Sequence, residues 1–269
     1  IMQLNGKKIV LTGASGGIGA CLAKALAEEG CHLLLSGRNE GKLARQVANL
    51  PGRGHEYFLA DLLKQSGRAG LLAEADTFGV DILINGLGTN QLCLLPASKD
   101  DELAQIVATN LLTPMQLSKD FLPLLSARPE ALLVNIGSIL GSIAYAGSSA
   151  YCASKFGLRG FSEALRRELA GSNVNVVYFA PRATDTELNS EAMQQLNSQL
   201  GNAVDTPEWV SQLVVIELKR GVSATRYLGW PEAFFVRLNS LFPSLIDKAL
   251  FKQLPLIKRS AKSAVSLSV

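Results

Sequence analysis

The sequence predicts a single α/β domain, built as a parallel sheet with helices on both faces and followed by a C-terminal helical extension. Three observations predict it. Short apolar runs alternate with helical apolar patterns from Lys8 to about Leu228, and strands that read as continuous apolar runs belong to sheets covered on both sides. A glycine-rich turn lies between the first run and the first helical pattern. The 269 residues contain no linker, repeat or low-complexity run, so one large core is preferred over two small ones.

In chain order, residues 8–11 form the first strand, and Thr12-Gly13-Ala14-Ser15-Gly16-Gly17-Ile18-Gly19 follows before a helical pattern through Leu22, Ala25 and Leu26. Glycines in such a turn let the backbone approach a pyrophosphate and leave the helix-start amides free to bind it; a tight structural turn has the same composition. Residues 32–35 give a second strand ending at Gly37 and Arg38, and residues 57–60 a third ending at Asp61. Residues 80–84 are the fourth and residues 131–137 the fifth. Between these lies a long helical pattern, 100–125, with Asn110 inside it and Pro114 expected to bend it. A sixth strand, 175–180, ends at Pro181, and a seventh covers 226–228 after a helix opened by Pro207. Residues 186–201 are polar and only loosely helical, which suits either a mobile cover over a site or a surface helix.

Composition narrows the function classes. The formal net charge of +3 gives no reason to expect a nucleic-acid partner. Cys21, Cys31, Cys93 and Cys152 are scattered, and His32 and His55 lie far from most of them in sequence; no metal site or disulfide framework is expected, which suits a reducing cytoplasm. The start of the chain lacks the basic, apolar and cleavage-site succession of a secretory leader.

The chemistry concentrates in residues 138–155. Tyr151 and Lys155 are four apart in a helical pattern, so they project from one face, where an ammonium is expected to lower the tyrosine pKa from about 10 toward working pH. Ser138, at the carboxyl end of the fifth strand, can reach the same site. A solvated Lys beside a half-buried Tyr would give the same local pattern.

Thr12-Gly13-x3-Gly17-x-Gly19, the Asn85 to Gly88 turn, Asn110, Ser138, Tyr151-x3-Lys155 and Pro181 with Asp185-Thr186 stand in the order and spacing of the short-chain dehydrogenase/reductase family, which the chain resembles over roughly residues 6–230. The resemblance implies a doubly wound Rossmann domain that binds NAD(H) or NADP(H) and moves hydride to or from a carbonyl carbon. It implies that Tyr151 is the general acid or base, that Lys155 holds the nicotinamide ribose, that Ser138 orients the carbonyl oxygen and that Asn110 holds a water in a proton relay. By the same resemblance Gly13, Ser15, Gly17, Ile18, Gly19, Asp61, Asn85, Gly86, Pro181, Thr184 and Thr186 line the cofactor. The reaction needs those groups independently, since hydride delivery leaves an alkoxide that must be protonated and hydrogen-bonded. Where NAD-binding relatives carry an acidic residue after the second strand, this chain has Arg38, whose guanidinium pairs with a phosphate; NADP(H) is therefore expected over NAD(H). A solvated charge after a strand is the plainer alternative.

Departures from the family pattern are local. Asn85-Gly86-Leu87-Gly88 stands for the usual Asn-Asn-Ala-Gly, Arg182 follows Pro181 in place of Gly, and Thr184 replaces a Val or Ile. The expected activity is an NADP(H)-dependent carbonyl reductase or alcohol dehydrogenase acting on an apolar substrate. A non-catalytic NADP(H)-binding sensor or scaffold has less need of Tyr151, and a sugar-nucleotide epimerase fits the glycine spacing poorly. A homodimer or homotetramer is the family expectation.

Residues 1–230 are thus expected to form the catalytic domain and 231–269 an extension packed on the same domain or on a partner subunit. From Glu232 onward six basic residues face two acidic ones. Phe234, Phe235, Leu238, Leu241, Phe242, Leu245, Ile246, Ala249 and Leu250 form an apolar stripe interrupted by Pro243. Pocket closure or subunit packing is preferred for this stripe over peripheral membrane contact through 232–262.

Overall fold

The computed structural model describes residues 1–266. Strands β1 (Lys8–Thr12), β2 (His32–Gly37), β3 (Glu56–Leu59), β4 (Ile82–Asn85), β5 (Ala131–Ile136), β6 (Val174–Ala180) and β7 (Ala224–Tyr227) form one seven-stranded sheet in the order β3-β2-β1-β4-β5-β6-β7. Every neighbouring pair is parallel. The order reverses at β1, which pairs with both β2 and β4. Ligands of open α/β sheets lie at the carboxyl ends of the strands beside such a switch point.

Alternate residues of the central strands feed opposite layers, which explains why those strands read as apolar runs. Ile9, Leu11, Leu33, Leu35, Ile84 and Val134 pack under α1 (Gly17–Glu28) and α8 (Pro207–Arg220). Val10, Leu34, Leu83 and Leu133 pack under α3 (Gln65–Phe78), α5 (Thr113–Ser126) and α6 (Ser149–Glu168), through Leu71, Phe121 and Leu165. Helix α8 shows how its ends are written in sequence. The Thr206 hydroxyl caps the start by accepting from the Trp209 N–H at 3.3 Å, Pro207 occupies the first turn, and Gly221 closes the end at φ +65°.

Helix α2 (Glu40–Asn49) crosses from β2 to β3. The long pattern around Asn110 is not one bent α-helix. Helix α4 (Asp100–Val107) passes through a π turn at Ala108–Leu112 into α5. Pro114 sits in the first turn of α5 and has no N–H to close the regular bond to the Asn110 carbonyl. The irregularity therefore falls before the proline, as a widened turn, and not at the proline as a kink.

Helix α7 (Glu191–Gln199) occupies most of the polar stretch 186–201. It is a seated helix and not a free cover, because Ala192, Met193 and Leu196 are buried against Leu92 and against Ile257 and Ala261 of α11 (Leu254–Ser266). Helices α9 (Trp230–Leu241) and α10 (Pro243–Phe251) precede α11, with Pro243 opening α10 after the break at Phe242. Among the described residues, no helix is long and apolar enough to cross a membrane.

Candidate active site

A cleft of about 580 Å³ runs along the carboxyl ends of the central strands. At one end the turn between β1 and α1 forms its floor. Gly13 adopts φ +67°, and a Cβ there would lie 2.6 Å from the Gly86 carbonyl oxygen; one on Gly19 would lie 2.2 Å from the Gly13 oxygen. Only glycine closes this turn. The first turn of α1 carries neither a side-chain cap nor an acidic residue, so its amides remain available to an anion, and a dinucleotide pyrophosphate fits that donor set. Gly13, Ser15, Gly17, Ile18 and Gly19 all line the cleft, as do Arg38, Asp61 and Gly86.

Arg38 is exposed at the rim immediately after β2. Lys42, one turn into α2, also lines the cleft and reaches Glu187 across it at 3.5 Å. The segment after β6 thus lies over the cofactor end. A Cβ on Gly17 would meet the Thr186 methyl at 2.6 Å, so that segment rests directly on the glycine turn.

At the other end, β5 delivers Ser138 in extended conformation, and its hydroxyl accepts from the Leu140 N–H at 3.1 Å. Tyr151 and Lys155 project from α6 into the same cleft. The Lys155 Nζ donates to the Ile136 carbonyl at 3.0 Å and lies 5.8 Å from the centre of the Tyr151 ring. Burial pushes the Tyr151 phenol up to about 12, and a hydrogen bond with Ser138 only partly offsets it. Burial likewise pulls Lys155 down to about 8. The lowering of the tyrosine expected from its lysine neighbour is not what the site shows: burial, which a sequence does not reveal, raises the phenol instead.

Two residues expected in the site work from behind it. Asn85 does not line the cleft; its side chain is buried and donates to Asn135 Oδ1 at 2.9 Å, because β4 and β5 place the two asparagines side by side. Asn135 donates in turn to Ser162 at 2.8 Å, tying the sheet to α6. Asn110 is wholly buried in the π turn. Its Oδ1 accepts from the Thr89 N–H at 2.8 Å, while its amide donates to the Thr89 carbonyl at 2.9 Å and to the Ser154 hydroxyl at 3.1 Å. Both amide hydrogens are used, so the side chain anchors the Thr89 wall of the cleft.

Tyr178 has an unanticipated place. Read only as an apolar strand residue, it lies wholly buried behind Ser138, with its hydroxyl 3.3 Å from the Ser138 N–H and 3.2 Å from the Ser138 carbonyl. It also donates toward the Lys155 carbonyl at 3.4 Å. Gly137 and Gly141 make room for it, since a Cβ on either would come within 2.1 to 2.3 Å of the ring or hydroxyl. Those two glycines flanking Ser138 were the available signal.

Pro181, Thr184 and Thr186 line the cleft where β6 ends, with the Pro181 carbonyl accepting from the Ile139 N–H at 2.9 Å. Arg182, the departure from the family pattern, is an architectural residue. Its guanidinium donates to both Asp205 oxygens, at 2.7 and 2.9 Å, and to Glu232 in the first turn of α9 at 3.1 Å. Arg182 and Glu232 both line the cleft. Tyr145 adds a second tie to the extension, donating to Gln253 at 3.1 Å.

Fold and cleft together define a nucleotide-binding oxidoreductase of the Rossmann type. A family model described as short chain dehydrogenase matches residues 7–197, and the chain belongs to that family. It is 32% identical over 241 residues to the 3-oxoacyl-(acyl-carrier-protein) reductase FabG of Vibrio cholerae, across 89% of this chain and 96% of that protein. It is 31% identical over 238 residues to nodulation protein G of a Rhizobium strain, across 88% and 94%. A solved short chain dehydrogenase/reductase family protein superposes with a TM-score of 0.73 at 25% identity, covering 84% of this chain and 97% of the other. A short-chain dehydrogenase/reductase from Burkholderia phymatum, solved in complex with NAD, superposes with a TM-score of 0.81 at 23% identity over 91% and 96%, a likeness of fold.

Proposed function

We propose that this protein transfers hydride between NADP(H) and the carbonyl or secondary alcohol of an apolar small molecule, with Tyr151 as general acid or base. The observation that carries the reading is the convergence of Ser138, Tyr151 and Lys155 at one end of a cleft whose other end is the glycine turn and Arg38. When bound, the nicotinamide supplies or accepts the hydride. The α1 amides and the glycine turn would hold the pyrophosphate, Arg38 a 2′-phosphate, Asp61 the adenine, and Pro181, Thr184 and Thr186 the nicotinamide end.

In the reductive direction, Tyr151 is held protonated by its burial and donates that proton to the developing alkoxide. The Ser138 hydroxyl donates a hydrogen bond to the same oxygen, and the Lys155 ammonium supplies positive potential beside the phenol. Tyr178 keeps Ser138 and the Lys155 backbone in register. The reductase named in the Vibrio cholerae relative supports reduction of a carbonyl as the working direction. A homodimer or homotetramer is the assembly we infer from the family, and light scattering tests it.

The test is NADPH oxidation against ketones and aldehydes of graded chain length. Tyr151→Phe should lower turnover about a thousandfold while NADPH affinity stays within a few-fold. A variant retaining more than a tenth of the parent rate would remove the assignment of Tyr151.

A further inference from the structure

The extension closes over the fold on one side and leaves an apolar, basic face on the other. Its inner side is fixed. Val236, Ile246, Ile257 and Ala261 are buried, and Asn239 donates to the Ser142 carbonyl at 3.0 Å. Its outer side is not covered. Trp230 is 82% exposed and stacks on Phe234 at 6.3 Å, while Leu241, Phe242 and Phe251 are 72%, 59% and 65% exposed. Large aromatic side chains so far out of a folded surface, on helices anchored from beneath, mark a contact surface.

Charge identifies the contact. Arg237 on α9, Lys248 on α10 and Lys252 at the end of α10 are exposed, and none forms an ion pair among the described residues. Of the two acidic residues in the extension, Glu232 is committed to Arg182, which leaves Asp247. Leu245 and Lys248 share one outward stripe of α10, and Lys252, which caps the helix in helical conformation, continues that stripe at a further four residues. A second copy is a poor occupant, because a two-fold contact would set this basic face against itself. A surface both apolar at depth and negatively charged at its boundary is a good one. We propose that α9 and α10 dock the protein on an anionic lipid membrane, with Trp230, Phe234, Leu241 and Phe242 in the interfacial layer and the lysines against headgroup phosphates. The helices lie on the bilayer and do not cross it. Glu232 points the opposite side of α9 into the cleft wall, so docking brings the cleft beside the membrane surface.

Binding is measured without turnover, so its result does not depend on the catalytic reading. The full chain is sedimented with vesicles of phosphatidylcholine alone or mixed with phosphatidylglycerol, at low and high salt. Most of the protein should pellet with the mixed vesicles at low salt and little with the neutral ones. The pair Lys248→Glu and Lys252→Glu should reduce that partition at least tenfold, as should Trp230→Ser with Phe234→Ser, each checked for native circular dichroism. A Trp209→Phe background leaves Trp230 as the sole tryptophan, and its emission should shift to the blue on adding mixed vesicles. Failure to pellet at low salt, equal binding by the charge-reversal variant, or an unshifted Trp230 emission overturns the proposal. So does sedimentation equilibrium showing a dimer that Phe234→Ser with Phe242→Ser dissociates and that vesicles do not displace, which would assign the face to a second copy.

Discussion

The two ends of the cleft are built on opposite plans. The cofactor end is made chiefly by the stretch from Gly13 to Arg38, with Gly86 and Thr186 packed against it, and by backbone more than by side chains. The opposite end gathers Thr89, Ser138, Tyr151, Arg182 and Glu232 from across the chain and fixes them with side-chain bonds. A backbone motif of this kind tolerates almost no added atoms, at its own positions or in the segments packed on it. A side-chain assembly behaves in the reverse way, since each tie contributes little alone and spans two segments.

Mutations at each end should separate these behaviours. At the cofactor end, Gly19→Val should lower dinucleotide affinity more than a hundredfold, because its Cβ would lie 2.2 Å from the Gly13 carbonyl oxygen; calorimetric titration measures it, and near-parental affinity would refute the close-packed turn. Next in size, Arg38→Asp should move the ratio of NADPH to NADH efficiency by about a hundredfold toward NADH, as repulsion replaces a charge-assisted pair. An unchanged ratio would remove Arg38 from phosphate recognition. At the other end, Arg182→Gln should raise KM several-fold with a small change in kcat and lower Tm by a few degrees, since it unties Asp205 and Glu232 together. A large kcat loss with unchanged KM would place Arg182 in the chemistry instead.

The smallest expected effect is in pH. Tyr151, pushed up to about 12, stays protonated across the working range, whereas Lys155, pulled down to about 8, does not. The rate of carbonyl reduction should therefore be flat through neutrality and fall by one proton as pH rises through about 8. Stability runs the other way. The folded pKa of Lys155 lies below the ordinary 10.5, so its burial cost is fully present below about 8 and disappears as pH rises toward 10.5. Lys155→Met should keep its Tm at pH 7 at or above that of the parent, and thermal melts at pH 7 and pH 10 check the sign.

The same division decides what the sequence could reveal. Each strand falls within a residue or two of an apolar run, because the central strands β1, β2, β4, β5 and β6 are buried on both faces and are mostly apolar. The partners of Asn110 were invisible, since Thr89 and Ser154 are 21 and 44 residues away and reached only through the π turn. Tyr178 depended on a strand register, and α11 on the presence of α7, because Ile257 and Ala261 are too few to make a stripe of their own. The raised Tyr151 phenol is hidden from the sequence for a related reason. Charges can be counted along a chain, but the exclusion of water arises only when distant segments close.

The strand order has a consequence for synthesis. β2 and then β3 extend the sheet on one side of β1, and β4 through β7 extend it in turn on the other. Each strand leaving the ribosome therefore meets an open edge, and none has to be inserted between two strands already paired. The sheet can grow vectorially from a nucleus that contains the glycine turn. Helices α9 to α11, emerging after β7, then pack on a molecule whose cofactor end is already assembled.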